Sequence, residues 1–157
     1  MKETLLKSFL LKFNNPALKK TATYHITVEA STRNLSEVRD FVSEHAQAEG
    51  FSPGKVADLC LAVDEAYTNI IKHAYKNDST QLVKIDLEFS DNEICVVLTD
   101  SGESFDESKY EMPDIKKQIK DKKRGGMGVY LIHKLMDKVD YNTTDDENEI
   151  RMYKQRD

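Results

Sequence analysis

The chain has 157 residues, enough for one domain with its own core. Its composition, 39% hydrophobic and 32% charged, is that of a soluble globular protein. The net charge of -5 argues against nucleic acid as the main partner, because such binding rests on basic patches.

Leu5, Leu6, Phe9, Leu10 and Phe13 recur at helical spacing, so residues 2–13 read as a short amphipathic helix that either caps the core or meets a partner. Lys7 and Lys12 interrupt its apolar run, which is not that of a signal peptide. Residues 21–30 are rich in strand formers, and His25 within them reads as structural. Residues 35–48 predict a helix with Asn34 as N-cap and Gly50 as its stop. Ser52 and Pro53 are placed to open the next helix. Along residues 57–75, Val56, Leu59, Cys60, Val63, Tyr67, Ile70 and Ala74 share one side, while Asp58, Glu65, Asn69, Lys72 and His73 lie opposite. Residues 81–89 alternate as a half-buried strand, and residues 93–99 return as a nearly all-apolar one, expected to be central and covered on both faces. Residues 103–124 lose clear periodicity, contain Pro113 and end in a basic run, as a lid would. Residues 129–139 predict a helix, and 139–144 and 149–154 two closing strands. No run approaches the ~18 apolar residues of a membrane span. Cys60 and Cys95 have no CxxC spacing and read as buried free thiols, which fits a cytoplasmic, reducing location.

Three stretches carry chemistry. Glu65, Asn69 and His73, at i, i+4 and i+8, form a polar row about 80° wide on a regular helix. A carboxylate, an amide and an imidazole together can hold a metal ion and act on a phosphate; the alternative is a solvated helix face. Asp100-Ser101-Gly102 closes the apolar strand, where a carboxylate can accept from an exocyclic amine and a glycine lets backbone approach a flat ring; it is also a common turn. Gly125-Gly126-Met127-Gly128 opens a helix beside Lys122, Lys123 and Arg124, which suits an anion at a helix N-terminus; the alternative is a flexible loop. No GxxxxGK[ST] occurs, and no strand abuts the glycine turn as a dinucleotide fingerprint requires.

In this order, the three stretches resemble the boxes of the GHKL ATP-binding superfamily of gyrase, histidine kinase and MutL type. Glu65, Asn69, His73 and Ala74 match its N-box, and the two glycine stretches match its glycine boxes. More narrowly, AVDEAYTNIIKHAYK, TDSGESFD and GGMGVYLIHKLMDKV are similar to the anti-sigma factor serine kinases of the RsbW and SpoIIAB type, over about residues 21–155. A histidine kinase is not expected, since there is no room for the dimerisation helix that bears its phosphorylated histidine.

The resemblance implies a Bergerat ATP-binding fold, an α/β (α+β) two-layer sandwich with a mixed β-sheet and helices on one face. Residues 1–20 would be an N-terminal extension and 21–157 a single ATP-binding domain. It implies ATP and Mg2+, with Asn69 as the metal ligand and Glu65 as general base. His73 would lie near the phosphates, Asp100 and Gly102 at adenine, and Gly125, Gly126, Met127 and Gly128 around the phosphates. It implies a protein-serine/threonine kinase and anti-sigma factor, homodimeric, whose partners are a sigma factor and a small STAS-domain antagonist that it phosphorylates. No membrane or direct nucleic-acid partner is implied. Where relatives carry a threonine entering the last strand, this chain has Glu149 nearby, with Thr99 as a substitute. The rival readings are a nucleotide-gated binding module without phosphotransfer, and a plain ATPase of the same fold.

Overall fold

The computed structural model describes residues 20–104 and 127–157. The expected helix at 2–13, the lid beyond residue 104, Gly125 and Gly126 lie outside the described residues. In chain order come β1 (Lys20–Glu29), a 3-10 turn (Thr32–Asn34), α1 (Leu35–Ala48) and α2 (Pro53–Asn69), which runs into a π-helical turn (Ile70–Ala74). There follow β2 (Leu82–Ser90), β3 (Glu93–Asp100), α3 (Met127–Leu135), β4 (Lys138–Thr143) and β5 (Asn148–Gln155).

Local signals set the helix ends. The Ser52 hydroxyl accepts from the Lys55 N–H, with Pro53 in the first turn of α2. Gly50 stops α1 at φ +89°, a conformation open to glycine. Asn34 precedes α1 as expected but does not cap it: its amide donates to the Glu29 carbonyl, and Ser31 caps the 3-10 turn instead. The third helix stops at Leu135, short of the expected 139, because Val139 pairs with Met152 in the sheet.

The five strands lie in the order β1-β2-β3-β5-β4. The sheet was expected to be mixed, yet all four pairings are antiparallel. The crossover from β3 through α3 does lead to a strand running the same way as β3, but β5 inserts between β3 and β4 and restores antiparallel neighbours. Alternation puts Ile26, Ile85, Leu98 and Ile150 in one cross-strand row and Tyr24, Leu87, Val96 and Met152 in the next. These rows pack with Val38, Val42 and Ala46 of α1, Leu59, Val63 and Tyr67 of α2, and Ile132 of α3. Helices therefore cover one face, as expected.

β3 is the middle strand, but its other face is covered differently from the expectation. Among the described residues no helix packs there. Cys95 and Val97 are buried under long side chains of the sheet itself. Arg151 on β5 reaches over β3 to donate to both carboxylate oxygens of Glu88 on β2, each at 3.0 Å, and also to Glu149 at 2.9 Å. Burial pushes the Cys95 thiol up to about 11. Cys60, expected to be buried, is only half-buried, with its thiol 3.9 Å from the Arg39 carbonyl.

Tyr67 ties the helical layer to the end of β1. It is fully buried, and its hydroxyl donates to the Glu29 carbonyl at 2.6 Å and accepts from the Ser31 N–H at 3.1 Å. Tyr67→Phe removes that hydroxyl and leaves the Glu29 carbonyl to the Asn34 amide and the Ser31 N–H. The unfolding free energy measured by urea titration is expected to fall by about 0.5–1.5 kcal/mol. An unchanged midpoint would mean that water replaces the hydroxyl at no cost.

Candidate functional site

A cavity of about 480 Å³ opens where the end of α2, the start of α3 and the ends of β3, β4 and β5 converge. Asn69, Lys72 and His73 line it from the helix side, and Gly128, Val129 and Ile132 from α3. Asp100, Tyr141, Thr143, Asn148 and Ile150 line it from the sheet. Ala66, Ile70, Val129, Ile132 and Ile150 give it an apolar wall, and its polar groups gather at the two ends.

The sheet-side end is fixed by the way α2 finishes. Ile70–Ala74 is a π turn, closed by the Tyr75 N–H on the Ile70 carbonyl at 2.9 Å. Lys76 and Asn77 follow with φ of 51° and 65°, which turns the chain sharply away. The Ala74 carbonyl, left without a partner in the helix, accepts from the Glu103 N–H at 2.9 Å. Gly102 lies so close that a Cβ there would sit 2.6 Å from the Ala74 carbonyl carbon. The buried Tyr75 completes the clamp: its hydroxyl donates to the Leu82 carbonyl at 2.6 Å and accepts from the Ser101 N–H at 2.7 Å.

Asp100 is 7% exposed, so its carboxylate needs hydrogen-bond donors. Oδ1 accepts from the Gly102 N–H at 2.9 Å and from the Asn148 amide at 2.9 Å. The same amide nitrogen donates to the Gly102 carbonyl at 2.9 Å. Sequence reading missed Asn148. It placed Glu149 near this position, but Glu149 pairs with Thr99 across the strands and its carboxylate is taken by Arg151. Thr99, on the same strand face as Glu149, does not substitute at the site. The signal was present: Ile150 and Met152 face the core, so alternation puts the Asn148 side chain on their face, although Glu149 also lines the cavity.

The other end brings Glu65, Asn69 and Gly128 together. A Cβ on Gly128 would lie 2.7 Å from Glu65 Oε2 and 3.5 Å from both amide atoms of Asn69. The two residues one helical turn apart thus stand side by side beneath the first turn of α3. Asn69 lines the cavity and Glu65 lies just under it. His73 also lines it, is exposed, and sits within the π turn. Met127 opens α3. Two cations also line the cavity: Lys72, from the polar side of the helix, and Lys76, 3.2 Å from Glu103. Adjacent carbonyl and carboxylate oxygens at Asn69 and Glu65 suit a hard divalent cation. Among the described residues no group of three metal-ligating His, Cys, Asp or Glu side chains occurs.

Comparison with known proteins gives a consistent result. Residues 28–154 match the family described as the histidine kinase-like ATPase domain. A serine-protein kinase RsbW of Halalkalibacterium halodurans is 34% identical over 122 residues, covering 75% of this chain and 74% of that protein. A serine-protein kinase RsbW of Staphylococcus aureus strain MSSA476 is 36% identical over 117 residues, 71% of this chain and 74% of that one. A structure of RsbU and RsbW domains from Mycobacterium tuberculosis superposes with a TM-score of 0.62 at 17% identity, over 85% of this chain and 32% of that one. The SiaB–SiaC complex from Pseudomonas aeruginosa gives a TM-score of 0.62 at 13% identity, over 98% and 99%. At these identities the structures speak for the fold alone.

The two described glycines of the site respond differently to a methyl group. Gly102→Ala meets backbone that cannot yield, and is expected to cost about 1–3 kcal/mol of stability. Gly128→Ala meets only the end of the Glu65 side chain, and a helical Gly-to-Ala change gains up to about 1 kcal/mol in propensity. Thermal unfolding of both variants checks this: Tm falls for the first and holds or rises for the second. Equal losses would show that Glu65 is held as rigidly as the backbone.

Proposed function

We propose that this chain, which belongs to the histidine kinase-like ATPase family and within it to the RsbW-type serine-protein kinases, transfers the γ-phosphoryl group of ATP to a serine or threonine of another protein. The observation that carries the reading is the pairing of the Glu65 carboxylate with the Asn69 amide beneath Gly128, at the end of the cavity away from Asp100. One end of the cavity offers an acceptor for an amine and the other a base next to a metal-ligand amide, with an apolar wall between. That is the layout of a purine nucleoside triphosphate.

The purine lies against Ile70, Ile132 and Ile150, with its exocyclic amine on Asp100 and the phosphates under the first turn of α3. There backbone N–H groups not yet used by the helix attract negative charge. Asn69 would hold Mg2+ by its amide oxygen, and the ion would supply positive charge to the phosphates. Glu65 accepts the proton of the attacking hydroxyl. The hydroxyl oxygen bonds to the γ-phosphorus, the bond from that phosphorus to the β–γ bridging oxygen breaks, and ADP leaves with that electron pair. His73 and Lys72 add positive charge near the phosphates.

The acceptor is a small STAS-domain antagonist, and the second partner is a sigma factor, held until added phosphate charge on the antagonist alters the exchange. The chain acts as a homodimer in the cytoplasm. The names of the relatives support the kinase chemistry, and no helix among the described residues is long and apolar enough to cross a membrane.

Intact-mass measurement after mixing the protein with Mg-ATP and each small STAS-domain protein of the same source tests the reading. One antagonist is expected to gain one phosphate, and Asn69→Ala to abolish the gain. Glu65→Gln is expected to bind nucleotide but transfer at least ~100-fold more slowly. Transfer by Glu65→Gln at the unaltered rate would remove Glu65 as the base. No transfer to any antagonist, with nucleotide bound, would leave the nucleotide-gated module.

A further inference from the structure

The geometry points to Asn148 as the residue that makes the purine end of the cavity selective for a 6-amino over a 6-oxo base, by fixing how Asp100 presents its carboxylate. The inference rests on the nucleotide reading above, and it concerns a residue that the motifs do not contain.

A carboxylate oxygen has two in-plane acceptor sites. On Oδ1 of Asp100 both are used, one by the Gly102 N–H and one by the Asn148 amide, each at 2.9 Å. No described residue donates to Oδ2, and Asp100 lines the cavity. Oδ2 is therefore the acceptor left for a ligand. The orientation of the Asn148 amide is not free. Its nitrogen faces two groups that can only accept, the ionised Asp100 carboxylate and the Gly102 carbonyl, and both its hydrogens are spent on them. Its oxygen accepts from the Thr143 hydroxyl at 3.3 Å. Thr143 and Asn148 face each other across the β4–β5 pairing, so the chain of bonds is braced by the sheet.

Two consequences follow. With both sites of Oδ1 taken, Oδ2 is the oxygen turned to the ligand, and a carboxylate oxygen there accepts a hydrogen bond. A 6-amino purine offers a hydrogen to that oxygen. A 6-oxo purine offers a second acceptor, which leaves two oxygens facing each other in a poorly solvated site. Asn148 is thus a positioning residue: it touches Asp100 and Gly102, and acts on the base through them.

The test is equilibrium binding of ADP and of inosine diphosphate, which differs at the 6-position, to the full chain and its variants by calorimetry in Mg2+ buffer. The unaltered protein is expected to prefer ADP by roughly tenfold or more. In Asn148→Ala, ADP is expected to weaken by about tenfold while inosine diphosphate changes little, so the preference collapses. In Asn148→Asp, which keeps the shape but removes the donor to Oδ1, the preference is expected to fall likewise. Equal weakening of both nucleotides in Asn148→Ala would mean that the cavity is merely damaged, and would overturn the inference. An unchanged preference in both variants would overturn it while leaving the nucleotide reading intact. Failure of the unaltered protein to bind ADP would overturn that reading and this inference together.

Discussion

The cavity depends on how closely the backbone of Gly102 lies to the carbonyl of Ala74. A side chain at residue 102 would push the strand end off the helix end. The approach also needs a helix that finishes in an unusual way. The π turn at Ile70–Ala74 frees the Ala74 carbonyl for the Glu103 N–H and brings Tyr75 inward, where its hydroxyl holds Ser101. A regular α-helical end with a solvated last turn would offer neither contact. The irregularity in the helix and the glycine in the loop are two halves of one joint, and Asp100 takes its position from it.

A second close approach governs the opposite end. Ala62 and Ala66 are buried on α2, and Gly128 lies in the first turn of α3. Small side chains let the helices come together until Gly128 sits directly over Glu65 and Asn69. A larger residue at 66 would enter the cavity, and one at 128 would meet the carboxylate. Leu59, Val63 and Tyr67 are buried in the core, and Ala66 lines the cavity together with Gly128 and Ile132 of α3.

Much of this was legible in the sequence because it follows from period and punctuation. The alternation in residues 82–89, the Ser52–Pro53 helix start and the stop at Gly50 each have a local cause, and each is found where it was expected. The pairing of Glu65 with Asn69 follows from helical spacing alone. What escaped depends on contacts between distant segments. That β5 inserts between β3 and β4 is decided by topology, which is why the sheet is antiparallel and not mixed. The π turn has no sequence period of its own, so the way α2 finishes was not foreseen. Ala62 and Ala66 look like helix filler until α3 is set against them. Asn148 was within reach of the alternation rule, but the rule had to be anchored on Ile150 and Met152, and the comparison with a threonine drew attention one residue too far.

The two faces of the sheet explain why the chemistry lies where it does. On the outer face, Arg151 spans β3 between Glu88 and Glu149, and its cross-strand row carries His25, Asp86 and Asp140 around a buried Val97. Such a surface is stable in water without a second layer, and its ion pairs lie partly in solvent, where they contribute modestly. The inner face is apolar and must be covered, and α1, α2 and α3 with the turn after α2 cover it. Where α3 begins, the ends of β3 and β5 present an aspartate and an asparagine to the cavity instead of valines and isoleucines. A buried carboxylate there would be a liability in a purely structural edge, since desolvation disfavours its charge. Here it is met by a backbone N–H and an amide on one oxygen only, which leaves the acid half-satisfied toward the cavity. That remaining acceptor, not the apolar volume, is what makes the gap between the layers a site for a specific ligand.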